Sequence, residues 1–385
     1  MKIEQVYDFV NEAQKEILGE KAIDLDRNLS KIVDVGNAIQ NIYADGSGLD
    51  AYVKAIANRI GRMLFVDRAY RGALPKILME SWEFGSIIGK IQAELPDAQE
   101  NETWELINGA SYDPYVVNLP IVDAKFFNKM STFEVDITLP TIQVKQSFAS
   151  ADEMTRFLAM LETQVNNSME LKIESLTRAC LGNFILATYD DDSSARVINL
   201  VSNYNTIKGT SLTARTALLD ADFLRYAVGA MLLYKGYLSE YSTLYNIGGK
   251  ARHTPADLLH IIVNTEFASR VKTNLQSNTY HEELVSLPKY EEVSYWQGSG
   301  TAGAFADRSL VGGKYVAPDG SLADETEASN VVAVMFDHEA LGVLQPRRRT
   351  TTAYNPKGEF YNEFHKSESR YFNDFNENFV IFTLN

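Results

Sequence analysis

The chain has 385 residues, a formal net charge of −15 and a hydrophobic fraction of 45%. This length and composition are those of a folded protein with two or three packed units. The negative net charge excludes a chain that binds nucleic acid through an overall positive charge. The single cysteine, Cys180, excludes an intramolecular disulfide and is consistent with a reducing compartment.

The first 60 residues predict short helices separated by a break. Met1 to Gly19 has an amphipathic helical pattern and lacks the apolar core of a signal peptide. The small residues from Ala44 to Gly48 interrupt the helical pattern. Two interpretations stay open, an N-terminal arm over residues 1–60 or a small helical domain packed on the main core. No uninterrupted apolar run reaches membrane length, so we expect no membrane span.

The segment from Phe84 to Phe148 predicts one long hairpin within an extended-loop region, residues 61–149. Ser86 to Leu95 is strand-like, and Ile121 to Leu139 returns as strand after a polar segment. The returning strand alternates apolar and polar residues, which gives it one apolar face. Its four large apolar side chains are Phe133, Val135, Ile137 and Leu139. A two-stranded hairpin cannot bury that face alone, and the alternation suits a hairpin laid on a partner's surface. The alternative is an ordinary sheet covered by the chain's own helices.

A long helix follows the predicted hairpin. Ser150, Ala151, Asp152 and Glu153 form a capping-box pattern, which marks a helix start. The apolar residues that follow recur at spacings of three and four until about Leu181, as on one face of a helix. Such a helix is about 45 Å long, which suits a structural spine.

The remainder of the chain predicts a mixed domain and closing strands. A helix is expected around Asp222 to Tyr234, and a strand at Leu258 to Val263 leads into a helix from Thr265 to Leu275. Val331 to Phe336 reads as a buried strand. The order of strands and helices indicates a mixed helix and sheet fold.

No motif in the sequence specifies an active site. Gly298, Gly300 and Gly303 match G-x-G-x-x-G, but the expected strand before them and helix after them are missing from the pattern, so we predict a loop. The acids from Asp190 to Asp192 lack the alternation and glycine of a calcium loop. The five histidines show no zinc spacing. We therefore expect no catalytic residue, no metal and no cofactor.

Arg347, Arg348 and Arg349 form a basic run in an acidic chain. Adjacent guanidinium groups repel one another unless carboxylates or phosphates approach them. We predict that this run lies in a subunit interface, and a solvated turn is the alternative.

The order of these patterns resembles the major capsid proteins of tailed phages, which have the Hong Kong 97-like fold. Phe127 to Phe148 is similar to the returning strand of that family's extended loop, and Ser150 to Cys180 is similar to its spine helix. Leu258 to Leu275 resembles a strand–helix unit of the axial domain. Asp337 to Gly342, with Ala340-Leu341-Gly342, resembles the turn back to the peripheral domain, and Arg370 to Leu384 resembles the closing strands.

The resemblance implies an α+β fold with an arm, an extended hairpin loop and a spine helix. It further implies a peripheral domain from residues 150–188 and 343–385 and an axial domain from residues 189–342. The implied function is structural. The chain would assemble as pentamers and hexamers into an icosahedral shell around double-stranded DNA, without enzymatic activity.

The resemblance also implies partners and a location. The chain shows no long, highly charged N-terminal segment, so we expect a separate scaffolding protein, together with a portal protein. The packaged DNA would be contacted without sequence specificity. We expect the protein in the virion after synthesis in the host cytoplasm. The alternatives are an encapsulin-type bacterial compartment of the same fold and, more remotely, a nucleotide-binding enzyme using the loop at Gly298.

Overall fold

The computed structural model describes residues 68–72, 74–79, 87–96, 98–140, 151–191, 193–276, 289–297, 304–344 and 347–385, and residues 11, 15, 18, 19, 22, 23, 34 and 38. The predicted arm therefore falls almost entirely outside the described residues. The glycine motif at 298–303 also lies outside them, as does Ser150 of the predicted capping box.

The predicted spine helix is confirmed as α1, Ala151–Asp190. Val165, Met169 and Ile173 lie on its buried side at spacings of four, as the sequence pattern required. The helix ends nine residues later than predicted. The extension contains four consecutive buried apolar residues, Phe184 to Ala187, so core packing continues the helix beyond the amphipathic pattern. Its 40 residues give a length of about 60 Å.

A five-stranded sheet lies at the centre of the hydrophobic core. Its order is β5 (Val197–Asn199), β14 (Phe379–Thr383), β10 (Val331–Asp337), β6 (Leu259–Asn264) and β7 (Glu291–Val293). Strand β10 pairs antiparallel with both β14 and β6, while the two outer pairings are parallel. The predicted buried strand is therefore confirmed, and every residue of β10 is buried.

Helices cover both faces of this sheet. Helices α2 (Leu200–Lys208), α3 (Ala214–Ala217), α4 (Ala221–Leu238) and α5 (Thr265–Gln276) pack with one face, and the C-terminal part of α1 packs with the other. Alternate residues of β10 serve the two sides, because Met335 joins the α4 side and Val334 joins the α1 side. Strand β5 ends at Asn199 because α2 begins at Leu200, which is buried.

A second sheet has the order β1 (Leu78–Met79), β11 (Leu341–Leu344), β13 (Phe360–Asn373) and β12 (Arg347–Asn355), and β4 (Met130–Pro140) pairs with β13. The turn between β10 and β11 ends at Ala340, so Leu341 and Gly342 of the predicted turn already belong to β11. The geometry of the turn is fixed because the Ala340 N–H donates to the Asp337 carbonyl at 2.9 Å.

Two further strand pairs complete the described residues. β2 (Ile88–Ala93) pairs antiparallel with β3 (Val122–Phe127), and β8 (Val311–Gly313) pairs with β9 (Thr326–Ala328). The short helix α6 (Phe305–Arg308) and β8 lie within residues 298–324, for which the glycine and proline turn signals of the sequence predict loop. The structure also divides the predicted hairpin. Its returning segment breaks at Asn128 and Lys129; β3 pairs with β2, but β4 pairs with the chain's own β13.

The chain forms two compact units. One comprises residues 1–70, 136–167 and 350–364, and the other comprises residues 71–135, 168–349 and 365–385. The larger unit contains the five-stranded sheet and the β2–β3 hairpin. Both units are discontinuous in sequence, as expected when long strands and a long helix run through more than one unit.

Candidate subunit interface

The β2–β3 hairpin has its polar side chains on the side of its own subunit, together with Ile88 and Phe127 at one end, and its opposite face is apolar and exposed to solvent. Lys90 and Gln92 of β2 face inward with Asp123 and Lys125 of β3, and all four are half-buried. Ile91 lies on the opposite face and is 72% exposed, and Phe126 is 70% exposed. A hairpin resting on a core normally has the reverse arrangement, with apolar residues inside. This inverted hairpin therefore has an apolar face that its own chain does not cover.

Buried acids hold the inner face. The Lys90 ammonium lies 2.9 Å from Asp374 and 2.7 Å from Glu377, and the Lys125 ammonium lies 2.9 Å from Asp374. Burial alone would lower the pKa of Lys90, but attraction to Asp374 and Glu377 outweighs it and raises the pKa. Burial likewise favours the neutral form of Asp374, yet the two lysines hold its pKa below the ordinary value. The favourable charge interactions therefore exceed the cost of burial on both sides of the contact.

A second set of contacts lies further along the hairpin. Lys250 forms ion pairs with Asp123, at 2.8 Å, and with Glu94. The hydrogen bond from Lys250 is the main reason why the pKa of Asp123 is lowered. Arg252 donates to the Gln92 side-chain oxygen. These directional contacts orient the hairpin where apolar packing would not.

The loop between β2 and β3, residues 94–121, continues the apolar surface. Its side chains are mostly exposed, and Trp104 is 86% exposed. The other exposed large apolar residues of this loop are Leu95, Leu106, Ile107, Tyr112, Tyr115, Val116, Val117, Leu119 and Ile121. Contiguous exposed apolar surface on a folded protein marks an interaction site. The loop contains acidic residues and no lysine or arginine, so this surface is both apolar and negatively charged.

The apolar face of β4, predicted from the sequence, is partly covered by its own chain. Phe133, Val135, Ile137 and Leu139 are half-buried, while Glu134 and Asp136 are exposed, so the predicted alternation is confirmed. The strand pairs with β13, with Thr138 donating to Asn362 at 2.8 Å and Glu134 lying 3.7 Å from Lys366.

The basic run lies at the start of β12. All three arginines are exposed. Arg348 pairs with Glu170 of α1 at 2.6 Å, and Arg349 lies 3.8 Å from Glu368 of β13. Both pairs are at the surface, where such contacts contribute little to stability. Two of the three charges therefore have partial partners within the chain and remain accessible to others.

The Tyr315 hydroxyl and the Cys180 thiol are both buried in the fold. The Asp190 carboxylate accepts a hydrogen bond from the Tyr315 hydroxyl at 2.5 Å, and burial together with that acid raises the pKa of Tyr315 to about 12. Burial also raises the pKa of the Cys180 thiol to about 12, which makes it unreactive.

Across the described ranges, no group of three or more potential metal ligands occurs. In those ranges no helix has the length and apolarity to cross a membrane.

Sequence reasoning missed the exposed residues of the β2–β3 hairpin. The alternation in Ile88 to Ala93 is visible, but it does not say which face points to the body. The strand register, which the structure supplies, places Lys90 directly opposite Lys125. Two facing lysines require buried acids, and the partners Asp374 and Glu377 are more than 200 positions away in the chain.

The comparisons with known proteins agree with one another. The family described as Phi29-like phage major capsid protein matches residues 10–383. A chain in the "Capsid structure of Staphylococcus phage Andhra" is similar with a TM-score of 0.56 and 13% identity, covering 84% of this chain and 87% of that chain. A chain in the "Structure of head fiber and inner core protein gp22 of native bacteriophage P68" is similar with a TM-score of 0.55 and 12% identity, covering 84% of this chain and 88% of that chain.

No curated protein matches the chain in sequence. The structural similarities, at such low identity, concern the fold, which is the mixed helix and sheet fold of capsid structures. The family match spans nearly the whole chain, and it shows which family the chain belongs to. The chain belongs to the Phi29-like phage major capsid protein family, and it is a structural capsid protein of a tailed phage, located in the virion and associating with itself in the shell.

Proposed function

We propose that the chain has the Hong Kong 97-like arrangement of arm, extended loop, spine helix, peripheral domain and axial domain, and that it forms pentamers and hexamers of an icosahedral shell. The shell encloses double-stranded DNA, which the acidic chain contacts without sequence specificity. A separate scaffolding protein and a portal protein take part in assembly. The chain is made in the host cytoplasm and has no enzymatic activity. The phage family match favours this proposal over the encapsulin-type compartment and over a nucleotide-binding enzyme.

The inverted hairpin is the observation that carries the assembly mechanism. Each large apolar side chain contributes about 1.5 to 3 kcal/mol when it is fully buried. Most of this stabilisation is absent in the single subunit, because Ile91, Phe126 and Trp104 face solvent. Burial of the hairpin and its loop against a neighbouring subunit would recover it. Interfaces in permanent assemblies are of this apolar kind and often exceed about 2,000 Å².

The charge of the loop adds a requirement for its partner. Since the loop contains only acidic charges, the surface that receives it must be apolar and neutral or positive. The basic run at Arg347, Arg348 and Arg349 is exposed and has this sign. We propose that at least one of these arginines pairs with an acid of a neighbouring subunit. The half-buried face formed by Phe133, Val135, Ile137 and Leu139 completes the proposed contact surface.

The test replaces two outward residues of the hairpin, Ile91→Asp with Phe126→Asp. We expect a subunit with an unchanged melting transition that forms no shells in electron microscopy, because only surface used between subunits has been altered. The control is Ala93→Asp with Ala124→Asp, which adds the same charge to the same face but removes little apolar area. It should reduce assembly less than the first pair does. Normal shells from the Ile91→Asp, Phe126→Asp variant would overturn the proposed role of this face.

A further inference from the structure

The two lysines of the inverted hairpin are direct cross-strand neighbours. Lys90 and Lys125 are register partners, and both point to the body of the subunit. Like charges placed opposite each other destabilise a strand pair. A two-stranded hairpin without other support is already marginal in water. This pair of lysines therefore needs a negative charge between the two strands and the body.

Asp374 supplies that charge to both strands at once. One carboxylate oxygen lies 2.9 Å from Lys90, the other lies 2.9 Å from Lys125, and the side chain is 0% exposed. Glu377 adds a second acid, at 2.7 Å from the Lys90 ammonium. The more exposed carboxylate of Glu339 lies 3.4 Å from the same ammonium. Asp374 therefore joins the two strands of the hairpin to the same point of the body.

The backbone around Asp374 is held in place independently of the hairpin. Its N–H donates to the Ala340 carbonyl at 2.6 Å, and its carbonyl accepts from the Glu377 N–H at 3.2 Å. The neighbouring Phe375 ring lies 4.7 Å from Phe184 of α1, inside the core. The carboxylate thus has a fixed position from which it can set the direction of the hairpin.

The other contacts of the inner face are also mainly polar. Arg252 bonds to Gln92 and approaches Glu377 at 3.5 Å, and Lys250 pairs with Asp123. The apolar contact at this end is Phe127 against Phe372, with ring centroids 5.3 Å apart. Because four of the six inner-face side chains are polar, hydrogen bonds and ion pairs, which are directional, set the direction of the hairpin.

We propose that Asp374 is a positioning residue for assembly, which fixes the direction of the β2–β3 hairpin by binding one lysine from each strand. The apolar face is then presented to a partner in a defined orientation before any partner binds. A preorganised element loses less entropy on association than one that must be ordered. The link to assembly rests on the proposed function of the hairpin, whereas the positioning itself is a property of the single subunit.

The experiment measures the direction of the hairpin in the unassembled, full-length subunit. Spin labels at Ala93→Cys, on the outer face of the hairpin, and Asn203→Cys, on α2, report one distance by electron–electron double resonance. The native Cys180 is buried and its pKa is about 12, so it should not be labelled. We expect one narrow distance in the parent protein and loss of that narrow distance after Asp374→Asn. The control Asp222→Asn removes the acid of an exposed ion pair with Arg225 and should leave the distance unchanged.

The outcomes separate the two proposals. A folded Asp374→Asn subunit with an unchanged narrow distance overturns the positioning role, even if the outer face proves essential for shells. A broadened distance with normal shell formation supports the positioning role and contradicts its use in assembly. If Asp374→Asn does not fold, Lys125→Met decides, because this half-exposed lysine can be removed without leaving Asp374 unpaired from Lys90. A broader distance in Lys125→Met supports the proposal, and an unchanged one overturns it.

Discussion

The strand pair β10–β14 and the strand pair β2–β3 are both antiparallel, but they place their apolar residues in opposite environments. In β10–β14 every residue of both strands is buried, and helices close both faces. In β2–β3 the charged face lies on the body and the apolar face lies in solvent. The first pair is stabilised by its own chain. The second has an exposed apolar face that would be stabilised by burial against another molecule. A subunit of a shell requires such a contact surface.

The largest expected effect is on stability, and it comes from placing an aspartate in β10 instead of in β3. Val334→Asp places a carboxylate among fully buried side chains of β10, where it has no partner. We expect a loss of about 4 kcal/mol or more, so the protein should be insoluble or unfolded by circular dichroism. The matched variant Val122→Asp lies on the exposed face of β3 and should change stability by less than about 0.5 kcal/mol. Equal melting transitions for the two variants would remove the contrast.

Acid should loosen the hairpin before it affects the central sheet. Asp374 has a pKa below its ordinary value of 3.8, so its ion pairs stabilise the fold above about pH 4 and that stabilisation is lost as the pH falls through the lowered pKa. Hydrogen exchange at the amides of β2 and β3 should therefore accelerate relative to β10 below about pH 4. In Asp374→Asn the hairpin amides should exchange faster already at neutral pH, with a smaller pH dependence. Equal acceleration in both strand pairs would contradict this expectation.

The strand β4 should respond between these extremes. Val135 and Ile137 are half-buried, and their backbone is paired with β13. Replacing both with Asp should lower the free energy of unfolding by roughly 2 kcal/mol and also prevent shells from forming. The opposite-face pair Glu134→Asn with Asp136→Asn tests whether position or charge matters, and it should leave stability almost unchanged. Urea denaturation and electron microscopy measure the two effects. A full loss of folding would show that the face belongs to the subunit's own core.

The smallest effect on stability is expected at the basic run. Reversing Arg347, Arg348 and Arg349 to Glu breaks two surface ion pairs, which should cost at most about 1 kcal/mol. Assembly should nevertheless weaken and lose part of its salt dependence, if these charges meet acids of a neighbour. Sedimentation at several salt concentrations measures this. The variant Arg349→Gln, which removes one weakly paired charge, should have an intermediate effect. Unchanged assembly and salt dependence in the triple variant would refute the interface role.

The sequence alone was sufficient for elements whose pattern is local. The spine helix and the helix from Thr265 follow from apolar residues at helical spacing, and the strands at Val331 and Leu258 follow from short, mainly apolar runs. The alternation in β4 was equally visible. The overall order of these elements supported the resemblance to phage capsid proteins, which the family match shows to be correct.

The tertiary structure decided which faces are covered. Alternation in β2 and β3 defines two faces but not the inner one, and Lys90 and Lys125 become inner residues only because Asp374 and Glu377 arrive from the far end of the chain. The pairing of β4 with β13, instead of with β2, likewise joins segments more than 200 residues apart. Local sequence sets the period of each element, whereas burial depends on long-range neighbours, and only the fold brings those neighbours together.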